Sequence, residues 1–236
     1  MRTEDVKIMD QSVKEDFRIN FFFAVKHLNN GKIDSHLYFF RGFCAELNPD
    51  YCLLLDIGTE AKPQSINRLV HYMDAYPKVG GSCGDIAVDL DLLKGRKTII
   101  TFAQYYEYKL SHYLDKAFEG CFSYQSVLPG AFSVFRWEAI KGKPIEEFLK
   151  GLNKHELDLL QLNMFLAEDR IMCFQIIIQK GLSNEGYSLM YLPGAVAVTD
   201  PPELFWILIA QRRRWINGSN ASFLYVLSRC YKFART

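Results

Sequence analysis

An α/β fold is the architecture this sequence predicts, and three observations predict it. Short apolar, β-prone runs alternate with longer segments whose apolar residues recur at helical spacing. Glycine and proline fall between those segments as punctuation, with no internal repeat and no low-complexity tract. At 236 residues, 49% of them hydrophobic and 14% aromatic, the chain can bury a substantial core in one large domain or two small ones. Residues 1–20 are expected to form a charged, poorly ordered segment, 21–227 the folded core and 228–236 a truncated tail.

Tyr51-Cys52-Leu53-Leu54-Leu55-Asp56 is an apolar run closed by an acid and followed by Ile57-Gly58-Thr59. It predicts a buried strand that delivers Asp56 to a loop, where ligands sit in open α/β sheets. Gln64 to Tyr76 predicts an amphipathic helix. Gly80, Gly81 and Gly84 predict a tight connection. Ile100 to Phe118 keeps helical spacing throughout. Val127-Leu128-Pro129-Gly130-Ala131-Phe132-Ser133-Val134-Phe135 opens as a turn and becomes a strand. Ala167-Glu168-Asp169 places acid before the apolar run from Arg170, and Lys180-Gly181 closes it, which are helix start and stop signals. Tyr191 to Asp200 is a strand ended by Pro201-Pro202. The apolar run Leu204 to Ala210 leads as a helix into Gln211-Arg212-Arg213-Arg214-Trp215.

The bulk numbers exclude several classes. A net charge of +1 gives no general attraction to nucleic acid. The six cysteines (Cys44, Cys52, Cys83, Cys121, Cys173, Cys230) lack paired metal spacing and read as reduced, mostly buried thiols. Met1 to Asp16 lacks the apolar stretch of a secretory signal. No run of about 20 apolar residues could span a bilayer, and the apolar segment Ala221 to Leu227 is too short. Two glycosylation sequons, at Asn217 and Asn220, stand without any other sign of secretion.

Three places could carry chemistry. Asp56, at a strand end, could hold a divalent cation, since magnesium commonly uses one or two carboxylates together with substrate phosphates; it could equally be a turn-forming aspartate. Asp169, at a helix start beside Glu168, could take a proton from an attacking hydroxyl; an ordinary helix cap has the same pattern. In the Gln211 to Trp215 stretch, residues three and four apart share a helical face. Gln211, Arg214 and Trp215 should then point one way, with Arg212 and Arg213 on the flanks. An amide, a guanidinium that forks onto oxyanions and a flat ring suit a sugar nucleotide. The bland alternative is a basic helix end anchored by a tryptophan. The five histidines show no ligand spacing, and no nucleophile–histidine pair or complete phosphate-cradling glycine loop is visible.

The order of these motifs is more specific than any one of them. Lys32-Ile-Asp-Ser-His36, Leu54-Leu-Asp56-Ile-Gly-Thr59, Val79-Gly-Gly-Ser-Cys-Gly-Asp85, Tyr106-Glu-Tyr-Lys109, Val127-Leu-Pro-Gly-Ala-Phe-Ser133, Leu166-Ala-Glu-Asp-Arg170, and Gln211-Arg-Arg-Arg-Trp215 with Asn217-Gly-Ser219 follow one another. The series resembles the catalytic core of fungal-type chitin synthases, processive family-2 glycosyltransferases, from about Phe22 to Leu227. The resemblance implies a glycosyltransferase-A-type mixed sheet flanked by helices, incomplete at its N-terminal side. It implies inverting transfer of N-acetylglucosamine from UDP-N-acetylglucosamine to the non-reducing end of a β-1,4 chitin chain, for cell-wall chitin. Asp169 matches the family's catalytic base. Asp56 matches the acid at the diphosphate and its magnesium or manganese ion. Gln211, Arg214 and Trp215 match the motif lining the acceptor and diphosphate site, and Glu168 stands beside the base as a further substrate-binding residue. The partners implied are the nucleotide sugar, the growing chain and, through flanking segments, the plasma membrane, with the catalytic core facing the cytosol; self-association is compatible with this. Two other readings remain open at this point: a hyaluronan- or cellulose-type polymerising glycosyltransferase, and a truncated non-catalytic paralogue.

Overall fold

The computed structural model describes residues 6–7, 18–28, 30–88, 98–178 and 186–228. Strands β1 (Val6–Lys7) and β2 (Arg18–Ile19) form a small antiparallel pair. Asn20 apart, the remainder of the 1–20 segment expected to lack order lies outside the described residues, as does the expected 228–236 tail beyond Ser228.

The body of the chain is a mixed sheet with helices on both faces. Its strands are β3 (Tyr51–Leu55), β4 (Thr59–Ala61), β5 (Val79–Val88), β6 (Phe132–Arg136) and β7 (Ser188–Thr199), in the order β3-β6-β5-β7-β4. β6 runs antiparallel to both β3 and β5, and β5 runs parallel to β7. β3, β5 and β7 therefore share a direction, and their C-terminal ends meet the start of β6 along one edge. In sheets of this kind that edge is where ligands are bound.

The strand pattern alternates as a two-residue period requires. Cys52, Leu54, Cys83, Phe135 and Leu189 face one core, against helices α6 (Trp137–Ile140), α7 (Lys143–Leu149) and α9 (Glu168–Ile178). Val79, Phe132, Val134, Ala195 and Ala197 face the other, which α3 (Ser65–Ala75) covers with Leu69 and Met73. Helix α9 buries Ile171 through Ile176 without a gap, which is the pattern of a helix enclosed on all sides rather than lying on the surface.

Gly80, Gly81 and Gly84 do not form a tight connection. They lie within β5, buried on the central strand. A methyl at Gly81 would fall 2.6 Å from Leu128 and one at Gly84 would strike the Ala195 carbonyl. Side chains from both cores press on the strand, so space rather than backbone conformation requires glycine here. The helix expected over 100–118 is present in three joined parts: α4 (Ile99–Leu110), a π-helical stretch Ser111–Lys116, and α5 (Ala117–Gly120). Asp169 falls in the first turn of α9, as its acidic pair predicted. The stop signal at Gly181 lies outside the described residues. The Gln211 stretch sits mid-way along α10 (Phe205–Ser228).

Candidate active site

The carboxyl end of β3 delivers Asp56. Its backbone N–H donates to the Ala131 carbonyl at 3.3 Å, which ties it to the Pro129-Gly130-Ala131 turn ahead of β6. The same turn reaches α9, where the Gly130 N–H donates to Asp169 Oδ2 at 2.9 Å. Two acids more than a hundred residues apart in sequence are thus held by adjacent residues of one turn. Glycine at 130 is enforced by crowding: a Cβ there would meet Lys32 Nζ at 2.7 Å and the Asp169 carboxylate at 3.0 Å.

Lys32, in the first turn of α1 (Lys32–Leu37), supplies the cation of this corner. Its Nζ lies 3.3 Å from Asp56 Oδ1 and 3.8 Å from Glu168 Oε1. Burial opposes its charge, but the carboxylates of Asp169, Asp56 and Glu168 outweigh burial and raise its pKa. Glu168 is 8% exposed. Burial raises its pKa, Asp169 adds to the rise, and Lys32 and Arg214 oppose it. One acid beside Asp169 is therefore biased toward its neutral, proton-donating form.

A cavity of about 690 Å³ opens from this corner and is lined by Asp56, Gly130, Glu168, Asp169, Arg214 and Trp215 among others. Five of the six residues singled out from sequence therefore line one cavity. Gln211 does not: its side-chain oxygen accepts from Arg212 Nη1 at 2.7 Å, outside the lining. Arg212, expected on the flank, lines the cavity instead. Its guanidinium lies 4.4 Å above the Trp215 ring and donates to Glu107 Oε2 from Nη2 at 2.6 Å and Nε at 3.1 Å. Arg212 and Trp215 are one turn apart, and the carboxylate of Glu107 on α4 pulls the guanidinium over the ring. That pull comes from a different helix, so helical spacing could not reveal it. Trp215 thus offers one ring face to a cation and is only partly buried.

A second cavity, about 1050 Å³, shares Lys32, Leu166, Glu168 and Arg214 with the first. These residues form a partition with ligand-sized space on both sides. Helix α10 packs at Gly218 against the residue before Glu168, where a Cβ would lie 2.6 Å from Ala167 Cβ.

Asp56 suits a cation that arrives with phosphates. Its side chain is 48% exposed at the cavity mouth. Among the described residues no group of three metal-ligating side chains assembles. One open carboxylate is what a magnesium ion completed by phosphate oxygens and water uses. Lys32, Gly130, Arg212 and His112 were not singled out as site residues in the sequence. Lys32, Gly130 and Arg212 lie within motifs of the ordered series, which was the available signal; for His112 no sequence signal separated it from structural residues.

The family model described as a chitin synthase-like glycosyltransferase domain matches residues 1–230. The chain is 40% identical over 223 residues to chitin synthase 2 of Mycosarcoma maydis, covering 91% of the chain and 20% of that protein. It is 39% identical over 206 residues to chitin synthase 1 of Phytophthora sojae (strain P6497), covering 86% of the chain and 22% of that protein. With chitin synthase 1 of Mycosarcoma maydis the identity is 38% over 230 residues, 92% of the chain and 24% of the relative. The chain thus spans about a fifth to a quarter of the length of these relatives.

Proposed function

The chain belongs to the chitin synthase-like glycosyltransferase family, and from that premise we propose that it is the catalytic core of a chitin synthase. It transfers N-acetylglucosamine from UDP-N-acetylglucosamine to the non-reducing end of a β-1,4-linked chain, with inversion. The observation that carries this reading is the convergence of Asp56, Asp169 and Trp215 on one cavity.

Inversion requires one in-line displacement at the anomeric carbon, so a base must stand opposite the leaving diphosphate. Asp169 is that base. The Gly130 N–H holds one carboxylate oxygen and leaves the other to take the proton of the acceptor hydroxyl. Asp56 marks the diphosphate side, with Lys32 beside it as a fixed positive charge. A magnesium or manganese ion held by Asp56 and the diphosphate would supply charge stabilisation to the departing UDP. Trp215 offers an apolar platform to an acceptor sugar, and Arg214 offers a guanidinium to anionic oxygens. The partition between the two cavities suits a reaction in which donor and acceptor enter separately and meet at Asp169. Among the described residues no helix is long and apolar enough to cross a membrane; we place the intact protein at the plasma membrane, its catalytic core facing the cytosol, through segments flanking this chain, and its product is cell-wall chitin.

The test is incorporation of labelled N-acetylglucosamine into chitinase-sensitive polymer by the chain with its native flanking sequence. Polymer from the wild type, and none from Asp169→Asn, is the expected result. A product that resists chitinase, or incorporation from UDP-glucose or UDP-glucuronate instead, overturns the assignment.

A further inference from the structure

His112 stands in the π-helical stretch and lines the catalytic cavity while only 4% exposed. Its Nδ1 lies 2.8 Å from the Tyr108 carbonyl oxygen. A carbonyl oxygen only accepts, so Nδ1 carries the proton. The ring is stacked on Tyr108, with centroids 6.2 Å apart and planes 11° apart, and Tyr191 packs against it at 6.0 Å. It has little freedom to turn. Asp85 Oδ1, at 3.9 Å from Nδ1, is beyond hydrogen-bond reach. Burial lowers the pKa of the ring, as do Lys116 and Lys109, against the opposing Tyr108 carbonyl and Asp85. The neutral tautomer is thereby fixed, and Nε2 is a bare lone pair. That nitrogen is buried and has no hydrogen-bond partner in the structure.

A buried acceptor left unpaired carries its full desolvation cost, so such a group in a ligand cavity calls for a donor. We propose that His112 Nε2 accepts a hydrogen bond from the sugar bound in this cavity, from its acetamido N–H or a ring hydroxyl, and is a specificity-determining residue for the transferred sugar. This rests on the proposed function above. Ile86, Val127 and Pro129 add apolar lining to the same cavity. A site built to hydrogen-bond a substrate group rejects analogues lacking that group far more sharply than an apolar pocket rejects a changed shape.

The chemistry separates two substitutions. His112→Asn keeps a donor near the Nδ1 position, and so the tie to Tyr108, but removes the acceptor at Nε2. His112→Gln places an amide oxygen near the Nε2 position. In the chain with its native flanking sequence, His112→Asn is expected to weaken UDP-N-acetylglucosamine binding about tenfold, and His112→Gln to restore most of it. If the partner is the acetamido N–H, His112→Asn also loses the preference for UDP-N-acetylglucosamine over UDP-glucose. If it is a hydroxyl, both donors weaken together. A role confined to holding the helix predicts the reverse order, with Asn tolerated and Gln not. A bound water in place of the sugar predicts equal affinities for wild type and His112→Asn; either result overturns the proposal. Nitrogen-15 resonances of the wild-type imidazole give a readout independent of any variant. Saturating UDP-N-acetylglucosamine is expected to shift Nε2 away from the bare-acceptor position, and an unmoved resonance overturns the proposal even if the variants fail to fold. A wild-type protein that binds no UDP-N-acetylglucosamine would instead overturn the functional reading beneath it.

Discussion

At the scale of single residues, the site is a set of charges placed to disagree. Lys32 sits among Asp56, Glu168 and Asp169, and one positive charge cannot satisfy three carboxylates. Glu168 absorbs the excess by shifting toward its neutral form. The sign of the consequence follows from linkage: a carboxyl whose folded pKa is raised stabilises the fold below its unfolded pKa and loses that contribution as pH rises through the folded value. His36 and His112 have lowered pKa values through burial and act in the opposite direction at mildly acid pH. The difference between wild type and Glu168→Gln isolates the glutamate. Glu168→Gln is expected to gain stability relative to wild type as pH rises from about 4.5, measured as paired melting curves against pH; a pH-independent difference would mean that Glu168 is not perturbed. Asp169→Asn removes the proton acceptor and keeps the shape. Transfer should fall by about 10²–10⁴-fold while UDP binding stays near wild type, read by polymer synthesis and by calorimetric titration with UDP. Gly130→Ala tests the crowding at the turn. The added methyl meets the far end of the Lys32 side chain and the Asp169 carboxylate, not backbone. Activity should therefore drop more than tenfold with a melting temperature close to wild type, and comparing the two measurements decides it.

Among elements, α10 forms one wall of the cavity. It carries Arg212, Arg214 and Trp215, and it is pinned at Gly218 against Ala167, one residue before the acidic pair. The contact is between a glycine and a backbone segment, which has no rotamer with which to yield. Gly218→Ala should destabilise the protein by about 1–3 kcal/mol and widen the separation between Trp215 and Asp169, measured by denaturant unfolding together with acceptor affinity. Trp215→Ala leaves that packing in place and removes the platform; polymer chain length should shorten more than donor affinity falls. The π-helical stretch after α4 is a second such device. Its wider turn buries His112 and Lys116, and Lys116 Nζ donates to the Val127 carbonyl at 2.7 Å, fastening the helix to the segment that leads into the Pro129-Gly130 turn. π-bulges recur at functional sites because they redirect side chains within an otherwise regular helix.

Across the whole molecule, the α4 to α5 run and α10 expose large apolar residues, among them Ile99, Phe102, Leu114 and Phe118 on the first and Trp206, Phe223 and Leu224 on the second. Large exposed apolar side chains in this number favour association. The isolated chain is expected to self-associate in buffer and to return to a monomer in mild non-ionic detergent, followed by sedimentation velocity; a monomer in both would mean that these side chains are too dispersed to act as one surface.

The elements were legible from sequence wherever the signal was local. The β3 run ends in Asp56, the acids open α9, and the Gln211 stretch lies in a helix, because apolar spacing and helix-start chemistry act within a few residues. The β5 glycines were misread as a connection because their reason is lateral: Leu128, Phe135 and Ala195 press on them from neighbouring segments. Gln211 was placed on the site face by helical spacing and by the family resemblance, neither of which registers Glu107, on a different helix, drawing Arg212 to the cavity. By itself the sequence determined the α/β class, the helix and strand that carry each acid, and, through the order of its motifs, the family. Only the tertiary structure decided that Lys32 stands between the acids, that the Pro129-Gly130-Ala131 turn ties Asp56 to Asp169, and that His112 lies at the cavity with a buried, unpartnered Nε2. Those facts depend on residues far apart in the chain meeting at the edge of one sheet, and short-range periodicity contains no record of such meetings.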